Sequence, residues 1–146
     1  MFLKRILLLS VIFTVGCTSV PRTPVDMSEY STPTEGFSGV YFYQHKTGVF
    51  GSLYDVKYVV DKQVLGKINT GEWLYLEVPT GEHKYTFSGG FLPQYLPFTF
   101  AEKQNYFFRG SIFQMAPYVV WINDEEKIRT VIQNIESGRY EPGNLD

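Results

Sequence analysis

Short runs of β-branched and aromatic residues recur through the middle of the chain, and a turn signal ends each run. The first run begins at Gly39 and the last ends at Ile122. β-branched and aromatic side chains favour strands, and strands that recur about every eight to twelve residues are typical of a β-sandwich. We therefore expect a mainly β fold, an antiparallel β-sandwich.

Alternation of apolar and polar positions places the individual strands. The runs over 54–60 and 63–68 are predicted to form a hairpin, because Asp61 and Lys62 between them make a tight turn. The runs over 96–100 and 106–111 are predicted to form another hairpin. The remaining predicted strands are 39–44, 72–78, 83–88 and 118–122.

One amphipathic helix is predicted after the strands, over 123–137. Asn123 is the expected N-cap, with Glu126 three residues later completing a capping box, and Gly138 can end the helix. A single apolar stripe, formed by spacings of three, four and seven residues, should pack on a sheet. Residues 138–146 are interpreted as a polar tail. The stripe consists of Ile128, Val131, Ile132 and Ile135.

The first sixteen residues have the pattern of a secretory signal peptide. Two basic residues precede an apolar run of about ten residues, which is too short to span a membrane. The run ends at Gly16, a small residue suited to a cleavage site. The following residue completes the sequence TVGC, which resembles a bacterial lipobox with Thr14 in place of the usual leucine. The resemblance implies that Cys17 carries lipid, and Thr18 in place of Asp after it implies the outer membrane.

Cleavage would leave 130 residues, enough for one domain with one core. Residues 17–37 are rich in proline and hydroxyl side chains and predict a flexible tether, and 38–137 form the predicted domain. Loss of two of the thirteen basic residues leaves eleven against fifteen acidic ones, a formal net charge of −4. This charge argues against nucleic acid and against polybasic membrane binding, so the lipid would hold the protein at the membrane. The lone cysteine, once acylated, leaves no thiol for a disulfide.

Three segments resemble an uncharacterised family of small bacterial lipoproteins, a domain of unknown function of the two-eight-four-six type. They are VYFY at 40–43, YVVDKQVLGKINTGEWLYLEVPTGEHKY at 58–85 and NYFFRG at 105–110. The middle segment also resembles the PEGA type of surface β-sandwich. The resemblance covers about 100 residues and implies an immunoglobulin-like or PEGA-like sandwich in the cell envelope, without an assigned activity. Its structural turn residues are Asp61, Gly66, Pro79, Gly81 and His83.

Two turns depart from the family pattern. Lys62 stands where the family has glycine after the hairpin aspartate. Lys103, Gln104 and Asn105 stand where the family has Gly-Lys before the later aromatic strand.

His83 is the residue best suited to chemistry, because a histidine beside a turn can act as a base or a metal ligand. The favoured interpretation is a hydrogen bond between its ring and a turn backbone. The other histidine, His45, follows the first predicted strand. The sequence has no paired-cysteine, H-x-H or H-E-x-x-H spacing and no nucleophile elbow. It therefore predicts no metal, no cofactor and no catalytic residue.

Acidic residues cluster in two places. Residues 124–126 open the predicted helix, where negative charge offsets the macrodipole. Glu72, Glu77 and Glu82 lie around a predicted hairpin and are interpreted as a solvated face, with a glycosidase-like pair left open as an alternative.

Two aromatic segments are the binding candidates. The loop over 91–97 offers flat apolar rings suited to glycan or protein contact, or its rings cover the end of the sandwich. The segment over 112–121 is either an exposed edge strand that pairs with a partner or part of the core. The candidate binding residues are Phe91, Tyr95, Tyr118 and Trp121.

These features predict a lipid-anchored protein at the periplasmic face of the outer membrane. The expected function is that of a non-enzymatic binding or accessory module whose partner is an envelope protein or peptidoglycan, and not a nucleic acid. The alternatives are glycan or peptidoglycan binding through the aromatic loop, and an enzyme of unrecognised class.

Overall fold

The computed structural model describes residues 31–47, 55–88, 95–113 and 116–145. These residues form ten strands and one helix. In chain order the elements are β1 Phe37–Gln44, β2 Val56–Val60, β3 Gln63–Ile68, β4 Glu72–Pro79, β5 Gly81–Ser88, β6 Leu96–Phe100, β7 Asn105–Phe113, β8 Ala116–Ile122, α1 Glu125–Glu136, β9 Glu141–Pro142 and β10 Asn144–Leu145.

The strands form two five-stranded sheets. The first sheet has the order β8-β7-β1-β4-β9, and the second has the order β10-β3-β2-β5-β6. The prediction of a mainly β fold with two sheets and one helix near the C-terminus is confirmed. Most strand pairs are antiparallel, as expected, but β1 pairs in parallel with β7 and β4 pairs in parallel with β9. Parallel neighbours require a long crossover, and between β1 and β7 the chain passes through the second sheet.

The hairpin formed by β2 and β3 is confirmed. Its two-residue turn has positive φ at both Asp61 (48°) and Lys62 (70°), as the right-handed twist of a tight hairpin requires. Lys62 thus takes a conformation that glycine adopts more readily. A register shift between Tyr58 and Val59 adds a bulge to the pair.

The predicted hairpin of β6 and β7 is wrong. β6 pairs with β5 in the second sheet, and β7 pairs with β1 and β8 in the first. The link between them crosses from sheet to sheet and bonds to the start of β1: Lys103 N donates to Phe37 O at 2.9 Å, and Gly39 N donates to Gln104 O at 2.9 Å. The residues between β6 and β7 have the composition of a hairpin turn. The sequence therefore does not show that they hydrogen-bond to β1 instead of joining β6 to β7 in one sheet.

The main core lies between the two sheets and is strongly aromatic. Phe98 of β6 lies 5.2 Å from the ring centroids of both Phe108 and Trp121, which belong to the opposite sheet. Aromatic pairs at such separations contribute beyond the area that they bury. The buried members of this core are Val40, Phe42, Val56, Tyr58, Val60, Ile68, Leu74, Val78, Tyr85, Phe100, Tyr106 and Phe108.

Helix α1 covers the outer face of the first sheet. The predicted stripe is confirmed, since Ile128, Val131 and Ile132 are buried there and Ile135 is half-buried. The sheet side of this second core consists of Tyr41, Tyr43, Phe107 and Ile122, joined by Tyr140 from beyond the helix.

The ends of the helix differ from the prediction at one side only. The N-cap is Asp124, one residue later than expected, and its carboxylate accepts a hydrogen bond from Lys127 N at 3.0 Å. Asn123 is therefore not the cap. At the other end Gly138 has a φ of 71°, as a left-handed residue that ends a helix should.

The C-terminal segment is part of the fold, and its interpretation as a polar tail is wrong. Strand β9 pairs with β4 and strand β10 pairs with β3, so the segment lies along one edge of both sheets. Tyr140 is buried, and Gly143 N donates to Trp73 O at 2.8 Å. A Cβ at Gly143 would lie 2.7 Å from a methyl group of Ile68, so this position needs glycine.

The predicted tether extends too far into the domain. Pro33 is buried, Ser31 Oγ donates to Tyr75 Oη at 2.9 Å, and Thr34 N donates to Glu77 Oε1 at 3.0 Å. Residues 31–36 therefore pack on the first sheet before β1 begins at Phe37.

Candidate functional site

The two sides of the sandwich are closed in different ways. On one side the edge strands are β9 and β10, which have two residues each. On the other side the edge strands are β6 and β8, which have five and seven residues. Because β9 and β10 follow each other directly, β6 and β8 share the opposite side, and the contact between Phe98 and Trp121 joins them there. We call this the open side.

The edge strands of the open side contain no charged residue. Their sequences are LPFTF and APYVVWI. Native proteins usually protect an edge strand with charges, short length or a covering segment. Here the only protective feature in each sequence is one proline, which lacks a backbone donor.

The candidate aromatic residues occupy different environments on this side. Trp121 is half-buried and packs into the main core, whereas Tyr118 is 40% exposed. Tyr118 shares a face of β8 with Val120, and so lies on the helix side of the first sheet. Tyr95, just before β6, is also 40% exposed. Phe91 lies outside the described residues, as does Cys17. Within the segment over 112–121, residues 116–121 thus belong to an edge strand, and Trp121 also packs into the core.

His83 pairs with a side chain of the β2–β3 turn. Its Nδ1 lies 2.6 Å from Asp61 Oδ2, and Asp61 Oδ1 accepts a hydrogen bond from Lys84 N at 2.9 Å. The prediction that His83 bonds to a turn backbone is therefore wrong, because its partner is the side chain of Asp61. The hydrogen bond with His83 is the main reason that the pKa of Asp61 lies below its ordinary value, and the bond from Lys84 adds to this effect. The hydrogen bonds of Asp61 with His83 and Lys84 thus hold the β2–β3 turn against β5.

The other nitrogen of His83 faces the protein interior. His83 Nε2 is shielded from solvent and has no hydrogen-bond partner among the described residues. The ring lies 6.0 Å from that of Phe100. A general base must reach the proton that it removes, and this nitrogen does not face solvent. Among the described residues no group of three or more His, Cys, Asp or Glu side chains could hold a metal ion.

The remaining turn residues of the family pattern serve the backbone. A Cβ at Gly66 would lie 2.6 Å from Leu74 of the opposite sheet and 3.1 Å from Asn144 O, so this position needs glycine. Gly81 has a φ of 119°, and Pro79 ends β4 opposite Phe37.

The three glutamates do not converge. The hairpin expected around them is wrong, because β4 and β5 belong to different sheets. Glu72 accepts a hydrogen bond from Asn69 N at 2.7 Å, Glu77 accepts one from Thr34 N, and Glu82 is exposed on β5. These separate roles do not support a glycosidase-like pair.

A third group of polar residues lies beyond the C-terminal end of α1 and was missed by the sequence reasoning. His45 Nδ1 lies 2.5 Å from Tyr140 Oη, and the Tyr140 ring stacks on Tyr43 at 5.9 Å. Burial is the main cause that lowers the pKa of His45, and the charge of Arg109 adds to it. An open depression of about 490 Å³ lies over His45 and Tyr140. The contributing residues come from β1, β7 and the C-terminal segment, so no local pattern joins them.

No protein-family model, curated protein or solved structure matches this chain. Within the described residues, no helix has the length and apolar character that a membrane span requires.

Proposed function

We propose that this protein is a lipid-anchored envelope protein that acts as a non-enzymatic binding module through its open side. The observation that carries the binding surface is the contrast between the two sides of the sandwich. One side is closed by a folded C-terminal segment, and the other presents two longer, uncharged edge strands.

The occupant that best fits this side is an extended segment of another envelope protein. An edge strand offers a row of backbone donors and acceptors to which an extended chain can add as a further strand. Neither β6 nor β8 carries a charge that would repel such a chain. The exposed ring of Tyr118 would lie beside the added strand and contact its side chains.

The described residues support a binding role more than catalysis. The solvent-shielded Nε2 of His83 and the dispersed glutamates offer no acid–base pair at a common site. The anchor is proposed from the sequence alone, in which Cys17 directly follows a secretory signal. Placement in the resembled lipoprotein family, and in the immunoglobulin-like or PEGA-like type of sandwich, is likewise a proposal, supported by the turn and strand motifs of the sequence.

Glycan or peptidoglycan binding is the second candidate. It is favoured by the exposure of Tyr95 at the start of β6, where the aromatic loop rejoins the sheet. An exposed tyrosine offers a flat ring together with a hydroxyl group.

Site-specific photocrosslinking in the native envelope tests the proposed surface. A photoreactive residue at Tyr118 should give a discrete protein adduct, whereas one at the exposed Leu145 on β10 should not. Equal adducts from both positions, or none from Tyr118, would contradict the proposal. Retention on purified sacculi that is lost in Tyr95→Ala would instead favour the glycan candidate.

The anchor is tested separately with Cys17→Ser. This variant should stay unprocessed or leave the membrane fraction, because the acylated thiol is gone. If it is processed and sediments with membranes as the unaltered protein does, the lipid anchor is wrong while the open side is still testable.

A further inference from the structure

Arg109 lies on the covered face of the first sheet. It belongs to β7, where it is in register with Tyr43 of β1 and Val120 of β8. Both neighbours belong to the core under α1. Directly opposed residues point to the same face of a sheet, so the Arg109 side chain enters the layer between sheet and helix.

This arginine is half-buried and has no ion-pair partner among the described residues. Its Nε is shielded from solvent and has no hydrogen-bond partner among the described residues. The ion pairs of the described residues join other side chains, with Asp61, Asp124 and Glu125 as the acids. The segments 48–54, 89–94 and 114–115, which interrupt the described residues, contain no Asp or Glu, whereas Asp26, Glu29 and Asp146 lie outside the described residues at the two ends of the chain.

A shielded cation without an anion is costly, since buried charges in proteins are normally paired. Removal of one partner from such a pair is strongly destabilising. The guanidinium group also has a planar fork of donors that matches a carboxylate or a phosphate. Arg109 therefore has the charge and the donor geometry to bind an anionic group.

The neighbours of Arg109 supply further hydrogen-bond donors. Tyr43 and Tyr140 stack on each other, and His45 lies beside Tyr140. Arg109 is in register with Tyr43 on the neighbouring strand, and its charge acts on the pKa of all three groups. Burial raises the pKa of both tyrosines, so their hydroxyls stay protonated and can donate to an anion.

The depression gives access from solvent to the His45 and Tyr140 end of this group. Its walls include Lys46 and Arg139, with Glu141 as the opposing charge. Arg139 is held by a bond from its Nη1 to Asn134 Oδ1 at 3.3 Å. The basic side chains outnumber the acidic one, so the entrance favours an anion.

We propose that Arg109, with Tyr43, His45 and Tyr140, forms a binding site for a single carboxylate or phosphate group. The ligand lies against the guanidinium fork and neutralises it. This site is on the helix-covered sheet, away from the open side, and it does not depend on the binding module proposed above.

The test follows the Nε–Hε signal of Arg109 by NMR in the purified, ¹⁵N-labelled protein. Inorganic phosphate and acetate are titrated separately at constant ionic strength. A saturable shift of this signal is expected for at least one of the two anions. Arg109→Gln should weaken the anion-dependent rise in melting temperature by about tenfold in apparent affinity, the loss expected of a charge-assisted bidentate contact.

The matched control is Arg129→Gln, which removes an exposed arginine that already pairs with Glu125 at 2.6 Å. It should leave the anion response unchanged. Arg109→Lys should bind with intermediate affinity, because it keeps the charge and loses the fork. If Arg109→Gln does not fold, the Arg109 signal of the unaltered protein decides the question.

Vesicles distinguish a free anion from a lipid headgroup. If the natural ligand is a headgroup, phosphatidylglycerol vesicles should compete with phosphate at the Arg109 signal and phosphatidylcholine vesicles should compete less. If it is a soluble anion, neither vesicle should compete. A response of the Arg109 signal that is linear in salt, or a response in Arg109→Gln equal to that of the unaltered protein, would overturn the site.

Discussion

Replacement of Tyr140 by alanine should destabilise the protein strongly, although this residue lies in what the sequence presents as a tail. Its side chain is 5% exposed, its ring stacks on Tyr43 with centroids 5.9 Å apart, and its hydroxyl contacts His45. Loss of a buried aromatic ring costs about 3–5 kcal/mol. A domain of this size is stable by about 5–15 kcal/mol, so Tyr140→Ala should remove a large part of the free energy of unfolding.

The contribution of the ring can be separated from that of the hydroxyl. Tyr140→Phe keeps the stacking on Tyr43 and loses the bond to His45, so it should cost about 0.5–1.5 kcal/mol. Truncation after Gly138 should cost more than Tyr140→Ala. It also removes the backbone bonds that attach β9, in which Glu141 N donates to Gly71 O at 2.9 Å.

Urea unfolding monitored by tryptophan fluorescence measures these differences. The control is Leu145→Ala on β10, where the side chain is 64% exposed, and the expected cost is under about 0.5 kcal/mol. If Tyr140→Ala unfolds at the same midpoint as Leu145→Ala, the C-terminal segment does not dock and the packing argument fails.

Two further predictions concern the helix and the buried phenols. Ile132→Ala should cost about 2–5 kcal/mol, whereas Arg129→Ala, on the exposed side of α1, should cost under about 0.5 kcal/mol in the same urea experiment; equal midpoints would mean that the helix does not pack on the sheet. Six tyrosines, five of them buried and Tyr75 half-buried, have a raised pKa, so the unfolded chain, whose phenols ionise near pH 10, loses their protons first. Stability should be present below about pH 10 and be lost as the pH rises further, with phenolate absorbance and loss of near-UV circular dichroism appearing together; phenolate formation that precedes unfolding would contradict this. The six are Tyr41, Tyr43, Tyr58, Tyr75, Tyr85 and Tyr140.

The features that sequence predicted well are local in origin. The β2–β3 hairpin follows from Asp61 and Lys62 between two alternating runs. The packed face of α1 follows from the period of Ile128, Val131 and Ile132. In each case the information lies within about a dozen neighbouring residues, where helix and strand periods are decided.

The features that sequence predicted wrongly depend on distant parts of the chain. The turn before β7 bonds to Phe37 and Gly39, about sixty-five residues earlier, and so crosses between sheets where a hairpin was expected. The C-terminal segment has polar residues on both sides of Tyr140, and its position depends on pairing with β4, where Gly143 N donates to Trp73 O. No alternation within either segment specifies these partners.

The candidate sites show the same division. The aromatic run over 112–121 marked the segment of β8, where Tyr118 is exposed, and Tyr95 is exposed just before β6. That β6 and β8 share one side of the molecule is a property of sheet order, to which the crossing before β7 and the C-terminal strands both contribute. The surroundings of Arg109 could not be predicted from the sequence, because within NYFFRG the arginine has the pattern of a polar residue that ends a strand.

The order of the strands also explains why the central ones read as they do. The first sheet is covered on one face by the second sheet and on the other by α1, so seven of the eight residues of β1 are buried. A strand buried on both faces loses the alternation of a half-exposed strand and reads as a continuous apolar run, as GVYFY does. Because the helix takes one face of this sheet and the short C-terminal strands take one edge of both sheets, the longer edge strands among the described residues are β6 and β8. The same packing places Arg109 beneath the helix layer, where a side chain on an uncovered sheet would simply have met water.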